Sequence, residues 1–257
     1  MKIVVKVGTS TLAYHTGHIN IRHVEHLVKV LSDLHNAGHQ VILVTSGAIG
    51  MGVGKLRLSA RPKDMPGKQA AAAVGQCELM YTYDKLFNEY NIVVAQLLIT
   101  GEDVEIKERR NNFTNTMDRL LCLGALPIIN ENDTIATHEI AVGDNDTLSA
   151  IVASSIHADL LVLLSDIDGL YTADPHKNKN AKLVSMVSGI TEEIIAYAGG
   201  AGSSLGTGGM STKIKAARIA TENGVDMVIA NGSRPENLYG IVAGEEIGTR
   251  FISNKEQ

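Results

Sequence analysis

With 257 residues the chain is long enough for one large domain or two small ones, and an α/β domain of this size buries roughly three quarters of its unfolded surface. Its 23 basic and 28 acidic residues leave a net charge of −5, which argues against the basic surface of a general nucleic-acid binder but not against a local basic pocket. No apolar run approaches the ~20 residues that span a bilayer, and the N-terminal Met-Lys-Ile-Val-Val-Lys lacks a signal-peptide core, so no membrane contact and a cytoplasmic location are expected. Cys77 and Cys122 have no CxxC or metal-ligand spacing around them and are expected to be buried, reduced thiols.

Taken in chain order, short runs of Val, Ile and Leu alternate with longer helical patterns. Residues 2–7 predict a strand buried on both faces, interrupted by Lys6 and closed by Gly8-Thr9-Ser10. Ile21, Val24, Leu27, Val28, Leu31 and Leu34 recur at helical spacing and predict a helix with one face on the sheet, stopped by Asn36-Ala37-Gly38. Further strands are expected at 40–45, 92–99, 126–130, 159–165 and 225–230, and further helices at 68–90, 106–123, 146–157 and 209–223. The alternation within 131–145 predicts a small hairpin. This β-α-β order implies an α/β fold, with an open, mostly parallel sheet covered by helices on both sides. No repeat or linker divides the chain, so 1–257 is expected to form a single domain, with an N-terminal part for one ligand and a C-terminal part for another. In such sheets ligands bind beyond the carboxyl ends of the strands, where Thr45-Ser46-Gly47, Asn130-Glu131-Asn132-Asp133 and Ser165-Asp166 all fall.

Common nucleotide and metal signatures are missing. Gly54-Lys55 and Gly67-Lys68 are followed by Leu56 and Gln69, so neither completes a Walker A motif, and no GxGxxG or HExxH occurs. Three features remain. Lys6 within an apolar strand is costly to bury unless an anion or a carboxylate meets it. Gly206-Thr207-Gly208-Gly209-Met210-Ser211-Thr212-Lys213 leads into a helix, so its backbone N–H groups and the helix dipole favour a polyphosphate. The polar turns Asn130–Asp133 and Gly143–Asp146 offer carboxylates and amides for an ammonium, a carboxylate or a metal-phosphate; as Asx-rich turns they would serve only local structure.

In order along the chain, VVKVGTS, VTSGAI, NEND, VGDND, SDIDGLYTADP and GTGGMSTK resemble the amino-acid kinase superfamily, and within it the glutamate 5-kinase branch. The resemblance implies an αβα sandwich, ATP with Mg²⁺, and phosphorylation of the γ-carboxylate of L-glutamate as the first step of proline biosynthesis. It assigns Lys6 and Lys213 to the transferring phosphoryl group and Asp146 to holding both lysines. Ser46, Asp133 and Asn145 match glutamate-binding positions, with Asn130 and Asp144 as helpers. Ser165, Asp166 and the run Thr207, Gly208, Gly209, Met210, Ser211, Thr212 and Lys213 match the ATP-binding segments, together with Lys6. It further implies inhibition by proline, a homo-oligomer (dimer or tetramer) and a glutamyl phosphate reductase that consumes the product. The match covers the kinase domain, without the C-terminal PUA domain that many relatives carry. Rival readings are a kinase of the same superfamily acting on acetylglutamate, aspartate, carbamate or a nucleoside monophosphate, and a non-catalytic binding protein that keeps the fold.

Overall fold

The computed structural model describes residues 1–14, 16, 18–136, 144–175, 177–198 and 209–253. Among them the chain forms, in order, β1 (Lys2–Val7), α1 (Thr9–Leu12), α2 (Ile21–Asn36), β2 (Gln40–Val44), α3 (Ala48–Lys55), α4 (Met65–Asn88), β3 (Val94–Ile99), α5 (Gly101–Glu105) and α6 (Lys107–Cys122). It continues with β4 (Leu126–Glu131), α7 (Asn145–Ser155), β5 (Leu160–Ser165), β6 (Met186–Val187), α8 (Glu192–Tyr197), α9 (Met210–Glu222), β7 (Asp226–Asn231), α10 (Asn237–Ala243) and β8 (Thr249–Phe251).

The strands make one sheet in the order β3-β4-β2-β1-β5-β7-β8-β6, parallel throughout except for the antiparallel pair β7–β8. Strand alternation sends the side chains of β1 to opposite faces. Ile3, Val5 and Val7 join one apolar layer with α2 and α4, whereas Val4 joins the other with α6, α7 and α9. Lys6 shares the face of Val4 and therefore enters the layer of α7 and α9. The chain builds outward from β1 on one side through β2, then returns to its other side at β5. That reversal leaves a crevice beyond the carboxyl end of β1, the usual ligand position in such sheets.

The periodic reading of α2 holds for Val24, Leu27, Val28, Leu31 and Leu34, all buried; Ile21 is exposed because it stands at the first helical position, beyond the packed stripe. Cys77 and Cys122 are exposed, contrary to the expectation of buried thiols. Each occupies the outer side of its helix, where neighbouring apolar residues, not the cysteine, supply the packing face. The hairpin expected within 131–145 falls largely on residues 137–143, outside the described residues.

Helix α3 has three glycines in Ala48-Ile-Gly-Met-Gly-Val-Gly-Lys55, a poor composition for an isolated helix. It forms because α4 lies against its backbone. A Cβ at Gly52 would come within 1.8 Å of the Ala71 carbonyl oxygen, and one at Gly75 within 1.7 Å of the Ala48 carbonyl oxygen. The two helices therefore touch backbone to backbone, as only glycine permits. Gly75→Ala is expected to destabilise the protein by at least about 2 kcal/mol, because main chain and not a flexible side chain must move; an unchanged midpoint in urea unfolding would refute this tight contact.

Candidate active site

Beyond the carboxyl ends of β1, β2, β4 and β5 lies an open cleft of about 630 Å³. It brings together Lys6, Ser46, Asn130, Asp133, Asp144, Asn145, Asp146, Ser165, Asp166 and Lys213, every one a residue singled out in the sequence. Gly209, Met210, Ser211 and Thr212 form the cap and first turn of α9 beside it, with Ser211 exposed. Thr207 and Gly208 lie outside the described residues.

Asp146 is the hub. It stands in the first turn of α7 and is 1% exposed. One carboxylate oxygen lies 2.7 Å from Lys6 Nζ, and the other accepts a hydrogen bond from Lys213 Nζ at 3.0 Å. At 2.7 Å the Lys6 ammonium and the carboxylate form a close, buried ion pair. The Thr212 hydroxyl also reaches the Lys213 side of the carboxylate, at 2.9 Å. Burial alone would raise the Asp146 pKa, but the lysine charges and hydrogen bonds outweigh it and bring it down to about 2. Two ammoniums around one carboxylate leave a net positive charge of one in a nearly dry setting. Such a cluster attracts an anion.

Asn145, one residue earlier, holds the acceptor side together. The two protons of its Nδ2 serve three acceptors, one of them shared: the Thr45 carbonyl at 2.6 Å, Ser46 Oγ at 2.7 Å and Asn130 Oδ1 at 3.0 Å. Asn130 in turn donates to Gln76 Oε1 on α4 at 2.9 Å. Thr45, fully buried, meets the Tyr83 hydroxyl at 2.9 Å, and burial pushes that phenol well above its ordinary pKa. Gly47 follows Ser46 with φ +100°, a left-handed conformation that glycine adopts without strain. It turns the chain so that α3 starts at the cleft, with leading N–H groups that have no partner within the helix.

Asp133 lines the same cleft, and burial raises its carboxyl pKa against a partial offset from Arg61. Asp144 has a different duty: its two oxygens accept from the Thr147 N–H at 2.7 Å and the Thr147 hydroxyl at 3.0 Å, so it caps α7 and fixes where Asn145 and Asp146 project.

Sequence reasoning did not identify Arg61, Lys63 and Lys68, which add positive charge to the cleft. Arg61-Pro-Lys63 before a helix was a legible basic signal. Lys68 sits in a failed Walker A pattern yet reaches the same place by another route. Lys55, from the other failed pattern, pairs on the surface with Glu78 at 2.8 Å. On the β5 and β7 ends, Asp168 accepts from Asn231 Nδ2 at 2.8 Å and from the Tyr171 hydroxyl at 3.0 Å, tying the loop after Ser165-Asp166 to the neighbouring strand.

Residues 1–231 match the amino acid kinase family. Glutamate 5-kinase of Clostridium acetobutylicum is 59% identical over 251 residues, covering 98% of this chain and 94% of that one. Glutamate 5-kinase of Clostridium tetani is 57% identical over 253 residues, covering 98% of this chain and 95% of that one. A longer relative, glutamate 5-kinase of Caldanaerobacter subterraneus subsp. tengcongensis, is 52% identical over 255 residues, 99% of this chain but 68% of its own length. Among solved structures, isopentenyl phosphate kinase superposes with a TM-score of 0.66 at 17% identity, covering 98% of this chain and 100% of that one. UMP kinase from Bacillus anthracis gives 0.65, also at 17% identity, over 98% and 96%. These distant likenesses speak for the fold, an open α/β sheet; the close relatives speak for the branch. The chain belongs to the amino acid kinase family and stands among its glutamate 5-kinases.

Proposed function

We propose that this chain transfers the γ-phosphoryl group of ATP to the γ-carboxylate of L-glutamate, giving γ-glutamyl 5-phosphate and ADP for proline biosynthesis. The observation that carries the reading is the single buried carboxylate of Asp146 shared by Lys6 and Lys213. A glutamate γ-carboxylate, with a pKa of about 4.3, is already an anionic nucleophile at neutral pH. No general base is needed. One of its oxygens forms the new bond to phosphorus while the bond to the β,γ-bridging oxygen breaks, and ADP leaves with that electron pair. What the step requires is alignment and charge neutralisation. Lys6 and Lys213 are placed to meet the moving phosphoryl group, and Asp146 keeps both ammoniums fixed before it arrives.

In this reading ATP lies on the β5–β7 side, against Ser165, Asp166 and the start of α9 from Gly209 to Lys213. Mg²⁺ would arrive with the nucleotide and would supply further positive charge to offset that of the phosphates. Both Asp146 oxygens meet lysines, so Asp166, whose Oδ1 accepts from the Ser165 hydroxyl, would be the carboxylate better placed to hold the ion. Glutamate lies on the β2–β4 side. Its ammonium meets Asp133, its carboxylates meet Ser46 and the start of α3, and Arg61, Lys63 and Lys68 supply positive charge around it. Proline keeps glutamate's α-carboxylate and an ammonium, and so fits the same pocket as a feedback inhibitor. The same reading includes a cytoplasmic homo-oligomer, a dimer or tetramer, that hands its labile acyl phosphate to glutamyl phosphate reductase. No helix among the described residues is long and apolar enough to cross a membrane.

The test is hydroxylamine trapping. With Mg-ATP, the protein is expected to form hydroxamate and ADP with L-glutamate and little with aspartate, acetylglutamate or carbamate. Hydroxamate from acetylglutamate or aspartate but not glutamate would overturn the acceptor, and no ADP with any acceptor would overturn the kinase reading.

A further inference from the structure

Gln76 is 7% exposed on α4, directly after the Gly75 that lets α4 touch α3, and it faces the end of β4. Two backbone groups fix the polarity of the amides beyond it. The Glu131 N–H can only donate, and it donates to Asn130 at 2.9 Å, so Asn130 must present its oxygen there. The Thr45 carbonyl can only accept, and it accepts from Asn145 at 2.6 Å, so Asn145 must present its nitrogen there. Asn130 therefore turns its NH₂ toward Gln76, which must answer with an oxygen. The Gln76 nitrogen is buried and finds no partner among the described residues. Only the acceptor half of this side chain is in use.

We infer that Gln76 is a positioning residue for the acceptor pocket: by accepting from Asn130 it holds in place a hydrogen-bond relay, Gln76–Asn130–Asn145–Ser46, whose direction the Glu131 N–H and the Thr45 carbonyl fix and which ends at the substrate. The direction has chemical content. Because the Asn145 nitrogen is spent on Thr45, Ser46 and Asn130, its oxygen is left to face an ammonium. Because Ser46 Oγ accepts from Asn145, its hydroxyl proton is left to donate to a carboxylate. Reversing the relay would offer an oxygen to Ser46 and a nitrogen to the ammonium, the wrong signs for both ends of an α-amino acid. This inference rests on the acceptor being glutamate.

Three measurements on Gln76→Met and Gln76→Glu test it. Met fills similar space with no acceptor oxygen of this kind, whereas Glu keeps the acceptor oxygen and replaces the unused nitrogen with a second oxygen of an ionisable carboxyl group. Gln76→Met is expected to raise the glutamate KM by about tenfold or more while kcat and the ATP KM change by less than about threefold. Gln76→Glu is expected to recover most of that loss. A crystal structure of Gln76→Met is expected to show the Asn130 amide displaced and its contact with Asn145 broken. Equal glutamate KM values in both variants, or an intact Asn130–Asn145 contact in Gln76→Met, would overturn the relay. A wild-type protein inactive toward glutamate would instead refute the acceptor assignment, and the crystal structure would still judge the relay by itself.

Discussion

Lys213→Ala is expected to lower kcat by about two to four orders of magnitude and to leave the glutamate KM within about threefold of wild type. Asn130 and Ser46 are held by Asn145, whereas the ammonium of Lys213 lies in the first turn of α9 and is held by Asp146. Its removal takes a fixed positive charge from the phosphoryl group at the moment charge moves between donor and acceptor oxygens. Steady-state kinetics separate the possibilities. A loss confined to the ATP KM would mean that Lys213 grips the ground state and contributes nothing particular to the transition state. Lys213→Arg does not restore the wild-type rate, because a planar fork cannot reproduce a point charge shared with Lys6 on one carboxylate.

Asp146→Ala is expected to be the most damaging single change to stability, costing about 3–5 kcal/mol, because it leaves two buried ammoniums without a counter-charge. The wild-type response to acid follows from the same group. Asp146 has a pKa of about 2 when folded and an ordinary value of 3.8, so the native state prefers the ionised form. Its contribution, on the order of 2 kcal/mol, is fully present above pH 4 and is lost as pH falls toward 2. Urea unfolding at stepped pH is expected to show this decline in the wild type and to lack it in Asp146→Asn. A wild-type curve that falls no more steeply than that of Asp146→Asn would remove Asp146 from the acid response.

The strands were legible because β1, β2, β4, β5 and β7 are buried on both faces, and burial on both faces writes itself as an unbroken apolar run. Helices α2, α6, α7 and α9 were legible from helical spacing, with ends shifted by a residue or two. Helix α3 was not, since its glycines argue against a helix until α4 lies against it. Nor were β6 and β8, whose few residues carry no period. Within the site, Lys6 and the glycine-rich approach to Lys213 stood out as residues out of place, one a charge in an apolar strand and the other a cation in a helix's first turn. That both lean on Asp146 came from resemblance, because no local pattern links positions 6, 146 and 213. Gln76 was invisible for a related reason: one glutamine in an alanine-rich helix has no signature until Asn130 is seen to need an oxygen.

The placement of β1 has a consequence for how the chain is made. Among the described strands this one is made before the others, yet it lies inside the sheet between residues 40–44 and residues 160–165. Until β5 has emerged, one side of Lys2–Val7 is an unpaired apolar edge, the kind of template on which nascent chains pair with one another. The charged Lys6 near the strand's end then has a role besides its ion pair with Asp146. During synthesis it breaks the apolar run that follows Lys2, until Asp146 and, 67 residues later, Lys213 close around it.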